Sequence, residues 1–136
     1  MQYRLKLRHA SQSYGMTETT LGVLITRQSN PRPGSVGQIV PGMMAKVIDV
    51  NNKSLGPYRE GELCFKGPLV MKGYIGDKKS TNASIDKDNW LRTGDVAYYD
   101  EDGFFYIVDR LKELIKYKAF QVSHRYLRCQ SRQLHV

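Results

Sequence analysis

Residues 90–110 read Trp90-Leu91-Arg92-Thr93-Gly94-Asp95-Val96-Ala97-Tyr98-Tyr99-Asp100-Glu101-Asp102-Gly103-Phe104-Phe105-Tyr106-Ile107-Val108-Asp109-Arg110. The run predicts strand, acidic turn, strand. Val96 and Tyr98, then Phe104, Tyr106 and Val108, alternate at period two. Asp102-Gly103 lies between them, and Asp-Gly tolerates the positive φ of a tight turn. A hairpin needs neither Asp95 at its entrance nor Asp109-Arg110 at its exit. A carboxylate at one end of a rigid hairpin and a guanidinium at the other suit a sugar diol between them. The carboxylate accepts from hydroxyls and the guanidinium donates in a fixed fork.

Working outward, short apolar stretches precede the hairpin: Ala45–Val50, Glu62–Phe65 and Leu69–Met71. They are separated by Asn51-Asn52, Gly56-Pro57, Gly67-Pro68 and Gly73. Strands at this spacing predict a small antiparallel sheet or barrel. Residues 27–38 read as a loop, rich in Pro and Gly. Asp77–Ile85 is the best helix candidate, with Asp77 as its cap. Leu5 and Leu7 alternate with Lys6 and Arg8, so residues 1–13 allow a short strand. The fold class expected is mainly β with minor α.

Composition bounds the function. A chain of 136 residues with a hydrophobic fraction of 40% fits one globular domain. No apolar run approaches the ~18 residues of a membrane span, and the N-terminal charges do not fit a signal peptide. Cys64 and Cys129 form no Cys-x-x-Cys pair, which fits a reduced intracellular protein. Asn82-Ala83-Ser84 matches a glycosylation sequon and is read as chance without a secretory signal. The net charge of +8 is uneven. Residues 1–10 carry three basic and no acidic residues, residues 11–109 eleven and twelve, and residues 110–136 seven and one. The excess sits at the two ends, as in tails rather than a basic face.

Four motifs, in order and at close to the expected spacing, resemble the AMP-forming adenylate-forming enzymes: acyl-CoA synthetases, 4-coumarate–CoA ligases and beetle luciferases. They are Tyr14-Gly15-Met16-Thr17-Glu18-Thr19-Thr20, Gly61-Glu62-Leu63-Cys64, Arg92-Thr93-Gly94-Asp95, and the run Ile107–Lys118. The likeness extends from about Tyr14 to Ser123. It implies an antiparallel β-barrel-like subdomain at the C-terminal end of the family's large N-terminal domain, followed by the hinge and first strand of the small C-terminal domain. The implied boundaries are 1–26 for the end of an α/β subdomain, 27–108 for the β subdomain, 109–123 for hinge and C-terminal start, and 124–136 for a basic tail outside the family pattern. Residues 1–13 would then be a strand without partners in this chain.

Residue by residue, the resemblance implies that Tyr14 and Gly15 line an adenine, Thr17 contacts phosphate and Glu18 ligates Mg²⁺. Asp95 would bind the ribose hydroxyls, Arg110 would support them, and Ile107 would pack near the nucleotide. Asp109 and Lys112 would belong to the hinge between half-reactions, and Lys116 would serve the second of these. Leu21–Ile25 would line an acyl or luciferin pocket, and Leu21 would narrow it. Other readings stand beside these: Thr17-x-x-Thr20 as a helix cap, Leu21 as ordinary core, Asp95 as a turn residue, Arg110 as a surface ion pair with Asp109, and residues 112–118 as a solvated basic strand.

The expected function is a partial AMP-dependent synthetase or luciferase-like enzyme. It would adenylate a carboxylic acid with ATP and Mg²⁺ and pass it to CoA or O₂. Two parts of the family pattern are missing, the Ser/Thr/Gly-rich phosphate loop and a C-terminal lysine. The chain alone is therefore expected to adenylate negligibly. Ala119 stands where the family has Gly, and His124–Val136 reads as sequence from another frame or an intron. The alternatives are a non-catalytic remnant and a basic binding module, with Tyr117, Phe120 and Tyr126 among Lys and Arg as in single-strand binders; nucleic acid is the weaker expectation. The resemblance implies a cytoplasmic or peroxisomal location, although no Ser-Lys-Leu address ends the chain.

Overall fold

In a computed structural model, residues 11–27 and 32–111 are described in full, and 114–117 and 120–123 as backbone. Three antiparallel sheets form. The first joins β1 (Ser13–Gly15), β2 (Gly22–Ile25) and β3 (Gln38–Ile39). The second runs β4 (Met44–Ile48), β5 (Gly61–Lys66), β6 (Leu91–Tyr99) and β7 (Phe105–Arg110) in that order. The third pairs β8 (Leu114–Tyr117) with β9 (Phe120–Ser123). One helix, α1 (Lys78–Ser84), lies against β6. Among the described residues the architecture is mainly antiparallel β with one α-helix. Among the described residues the strands do not close into a barrel.

Period-two burial explains the second sheet. On β5, Leu63 and Phe65 enter the core while Cys64 points to the other face. Ala97 on β6 and Phe105 on β7 share the core side with Val47 of β4. Val23 and Leu24 of β2 join the same cluster, so the first two sheets share one core. The residues whose alternation first marked the hairpin occupy the opposite face. There the Tyr98 and Tyr106 rings stack at 4.8 Å and 9°, and Val96 and Phe104 are buried.

The hairpin turn is longer than a two-residue one. Tyr99 pairs with Phe105, Gly103 donates to the Asp100 carbonyl at 2.9 Å, and only Gly103 takes a positive φ. Asp100 is the organising residue. One carboxylate oxygen accepts from the Asp102 and Phe104 amides. The other accepts from Tyr106 and Arg32, and Arg32 also pairs with Asp102 and lies over the Phe104 ring.

The helix matches its expected cap. Asp77 accepts from the Ser80 amide at 2.9 Å and from its hydroxyl at 2.7 Å. These bonds hold the Asp77 carboxyl below the usual carboxylate range.

Three local expectations are corrected. Leu69–Met71 forms no strand: Val70 closes a turn on Gly67, and Met71 donates to the Glu18 carbonyl. The segment entering the Tyr-Gly motif does have a partner, because Ser13 and Tyr14 pair with Ile25 and Leu24. Leu21 is not core; it is 69% exposed, while Val23 and Leu24 are fully buried. The alternation at Leu5 and Leu7 lies outside the described residues, as do Cys129 and the basic tail.

Cys64 is a free thiol, 1% exposed. Burial pushes its pKa from 9.0 up to about 12. A raised pKa means that the folded state keeps a proton the unfolded chain releases. Its contribution is therefore complete below about pH 9 and is lost as pH rises towards about 12. The limiting slope is about 1.4 kcal/mol per pH unit. Urea unfolding between about pH 8 and about pH 11 should show stability falling on the alkaline side, and Cys64→Ala should flatten that fall by one proton's share. An unchanged slope in the variant would refute the assignment.

Candidate functional site

The site begins at an irregularity in the β5–β6 ladder. Cys64 pairs with Arg92 and Glu62 with Val96. A single residue, Leu63, therefore faces three, Thr93, Gly94 and Asp95. The three bulge away from β5, and a bulge of this kind re-aims a side chain. The missing ladder bonds are replaced by side chains. The Thr93 hydroxyl donates to the Leu63 carbonyl at 2.8 Å and accepts from the Asp95 amide at 3.1 Å. The Gly94 amide donates to Glu62 Oε1 at 3.2 Å.

Asp95, without a partner on β5, is buried and held at both oxygens. The Tyr14 hydroxyl donates to Oδ2 at 2.5 Å, and Arg110 Nε lies 3.2 Å from Oδ1. Arg110 reaches Asp95 because the β6–β7 register sets the two opposite one another. Its ion pair is thus with Asp95, and its own amide donates to the Asp109 carboxylate at 2.8 Å. Tyr14 arrives from β1, its ring 6.0 Å from Phe65. Burial chiefly, and then the bond to Asp95, raise the Tyr14 phenol pKa above its ordinary value. The phenol is therefore a donor at any physiological pH. Each carboxylate oxygen has a second lone pair, so Asp95 can still accept from two hydroxyls.

Glu18 sits in a short 3₁₀ turn, Thr17–Thr19, directly after β1. Its carboxylate accepts from the Tyr74 hydroxyl at 2.7 Å, and that bond is the main cause of a raised Tyr74 pKa. Glu18, Tyr74, Arg92, Thr93 and Gly94 line one open cleft of about 560 Å³. The cleft therefore runs from the Tyr-Gly-Met-Thr-Glu turn to the bulge that carries Asp95. Among the described residues no group of three metal-ligating side chains exists. A lone carboxylate fits Mg²⁺, which takes most of its ligands from water and phosphate, and does not fit a metal held by protein alone.

Of the expected residues, the structure brings Tyr14, Asp95 and Arg110 into contact and places Glu18 on the adjoining cleft. Gly15 ends β1 and is exposed, as is Thr17, whose carbonyl accepts from the Thr20 amide. Thr17 stands inside the 3₁₀ turn and does not cap a helix. Ile107 packs against the core cluster, as Tyr14 also does. Lys112 lies outside the described residues, and Lys116 is placed only as backbone on β8. Sequence reasoning missed Tyr74 and Glu62. Tyr74 gives no pattern, since its partner is 56 residues away. Glu62 was quoted within a motif without a role.

The family model described as AMP-binding enzyme matches residues 1–75. Luciferin 4-monooxygenase of Photuris pensylvanica is 57% identical over 121 residues, covering 88% of this chain and 22% of that protein. The 4-coumarate–CoA ligase-like 6 protein of Oryza sativa subsp. japonica is 51% identical over 114 residues, covering 82% of this chain and 19% of that protein. Among solved structures, O-succinylbenzoate coenzyme A synthetase from Bacillus subtilis, in complex with ATP and magnesium ion, matches with a TM-score of 0.75 and 34% identity, over 82% of this chain and 24% of its own. The chain spans about a fifth of the length of the curated relatives it matches.

Proposed function

Since the chain belongs to the AMP-binding enzyme family of adenylate-forming proteins, we propose that Tyr14, Asp95 and Arg110 form the ribose-binding corner of an ATP/AMP site. The observation that carries this is Asp95 raised on a bulge and fixed from both sides. A carboxylate desolvated and oriented in this way is prepared to accept two vicinal hydroxyls without first paying to order itself. ATP and magnesium in the Bacillus subtilis relative support a nucleotide as the ligand.

The reaction proposed for the whole protein is carboxylate adenylation. An acid oxygen attacks the α-phosphorus of ATP, the bond to the bridging oxygen breaks, and pyrophosphate leaves. Mg²⁺, when bound, neutralises phosphate charge. Glu18 would ligate it from the cleft wall and Thr17 would donate to phosphate. Positioning and charge neutralisation carry such chemistry. The acyl adenylate would pass to CoA or, as in a luciferase, to O₂. In this reading residues 1–26 end an α/β subdomain, residues 27–108 are the β subdomain, and residues 109–123, with Asp109 and Lys112, are the hinge and start of the C-terminal domain. Residues 124–136 are a tail outside the family pattern, Lys116 serves the second step, and Gly15 and Ile107 border the nucleotide. The chain has no Ser/Thr/Gly-rich phosphate loop, so nucleotide binding rather than turnover is the property to measure on it.

Calorimetric titration of the 136-residue chain with AMP and with 2′,3′-dideoxy-AMP tests the reading. AMP should bind at least about tenfold more tightly, the worth of one charge-assisted hydrogen bond. Equal affinities would remove Asp95 from the ribose and the reading with it.

A further inference from the structure

The bulge that presents Asp95 is anchored by a side chain to which no role in nucleotide binding has been given. Glu62 of β5 divides its two oxygens. Oε1 accepts from the Gly94 amide at 3.2 Å. Oε2 accepts from Arg92 Nε at 2.9 Å and from a second guanidinium nitrogen at 2.5 Å. Both Arg92 and Gly94 belong to β6 and flank Thr93. Glu62 therefore grips the bulge immediately before Asp95.

We propose that Glu62, held by Arg92, is a positioning residue that fixes the Gly94 turn and thereby aims the Asp95 carboxylate at its ligand; this rests on Asp95 being the ribose ligand. Three observations carry it. The bulge leaves three consecutive residues without partners on β5, and the Gly94 amide on that side needs another acceptor. Gly94 takes φ +72, a left-handed conformation within β6, and its amide donates to Glu62 Oε1. The Glu62 side chain is only 11% exposed while that of Arg92 is 40% exposed. An ion pair with one partner so open to solvent contributes little energy, so its effect is geometric. Arg92 fixes one carboxylate oxygen in a fork and leaves the other pointing at Gly94. The Arg92 guanidinium is charged at any physiological pH, so the fork persists.

Glu62 also lines the cleft that contains Glu18, so a role as a second metal ligand comes into view. Both of its oxygens already have donors, which favours the anchor. Thr93 completes the arrangement from the other side, with its hydroxyl between the Leu63 carbonyl and the Asp95 amide. Asp95 is then reached through two routes, one neutral and one charged.

The test uses the full chain with ¹⁵N and ¹³C labels. Amide exchange of Gly94, the Asp95 carboxyl shift and AMP affinity are read for the native protein, Glu62→Ala and Glu62→Gln. Glu62→Ala should speed Gly94 exchange at least about tenfold, move the Asp95 carboxyl signal and weaken AMP about tenfold. Glu62→Gln keeps an acceptor for Gly94 and should weaken AMP only about twofold to threefold. Unchanged Gly94 exchange in Glu62→Ala overturns the proposal, and so do equal AMP losses in the two variants, which would assign the effect to charge. If Glu62→Ala does not fold, Arg92→Met replaces it, with faster Gly94 exchange and weaker AMP expected and no change overturning the idea. If the native chain does not distinguish AMP from its dideoxy analogue, the ribose reading has failed by itself; Gly94 exchange and the Asp95 signal still decide whether Glu62 sets Asp95.

Discussion

Asp95→Ala should weaken AMP binding by about two orders of magnitude while the chain stays folded. Two ribose hydroxyls donating to one carboxylate make two charge-assisted bonds, each worth about 1.5–3 kcal/mol. The lower end of that range already gives about a hundredfold. Loss of the carboxylate also leaves the Tyr14 hydroxyl without its 2.5 Å acceptor and Arg110 without its ion pair. The Tyr14 pKa should fall but stay above its ordinary value, because burial is the largest cause of its rise and the Asp95 bond the second. Ultraviolet titration reads this separately from binding. Asp95→Asn keeps one acceptor oxygen and should lose about tenfold in affinity. A folded Asp95→Ala protein that bound AMP within about twofold of native would show that Asp95 stabilises β1 through Tyr14 and has no ligand.

What the sequence revealed depended on the range of each interaction. The hairpin and the α1 cap were legible because alternation, Asp102-Gly103 and Asp77 act over a few residues. That Asp95 and Arg110 stand at the two ends of the hairpin was legible, but the sequence suggested a diol between them or an Arg110–Asp109 pair, and the register instead brings Arg110 directly onto Asp95. Tyr14 reaches Asp95 across 81 residues, a contact that the sequence did not indicate; the family likeness implied only that Tyr14 lines an adenine. The bulge was invisible. Arg92-Thr93-Gly94-Asp95 reads as the opening of a regular strand, and only the pairing of β5 with β6 shows one residue facing three. Leu69–Met71 was misread because an apolar run bounded by turn residues is also what a tight turn against a neighbouring segment looks like. Its Met71 amide is used by the Glu18 carbonyl, a long-range bond with no local signature. Leu21 is open in this chain because the side chains of β2 that meet the core are Val23 and Leu24. Leu21 lies just before β2 begins at Gly22, outside the positions that meet the core.

Gly37→Ala is expected to unfold the chain, and Gly34→Ala, three residues earlier, is expected to be mild. Gly37 has φ +103 and Gly34 φ +81, so both substitutions force an L side chain into a left-handed conformation, at a cost of about 1–2 kcal/mol. Around Gly34 a Cβ meets nothing within 4 Å. At Gly37 it would overlap the Ile25 carbonyl and the Thr26 nitrogen, which are backbone atoms of β2 and the residue after it and cannot rotate away. Gly37 is also the joint between the two large sheets. Its carbonyl accepts from the Phe105 amide at 2.9 Å. The Phe105 carbonyl accepts from the Val36 amide at 2.9 Å and from the Ser35 hydroxyl at 2.8 Å. The Gly37 amide donates back to that hydroxyl at 2.9 Å. Moving Gly37 to make room therefore pulls Phe105 and Leu24 apart, and both belong to the shared core. Separating packed core side chains costs about 2–5 kcal/mol, and the whole fold is worth only about 5–15 kcal/mol. Equilibrium urea unfolding of the two variants should give a cooperative transition at a modestly lowered midpoint for Gly34→Ala and no cooperative transition for Gly37→Ala. Equal midpoints would mean that the sheets are joined elsewhere. If the joint is at Gly37, losing it also loosens β1 on its sheet, and with it the Tyr14 hydroxyl that fixes Asp95.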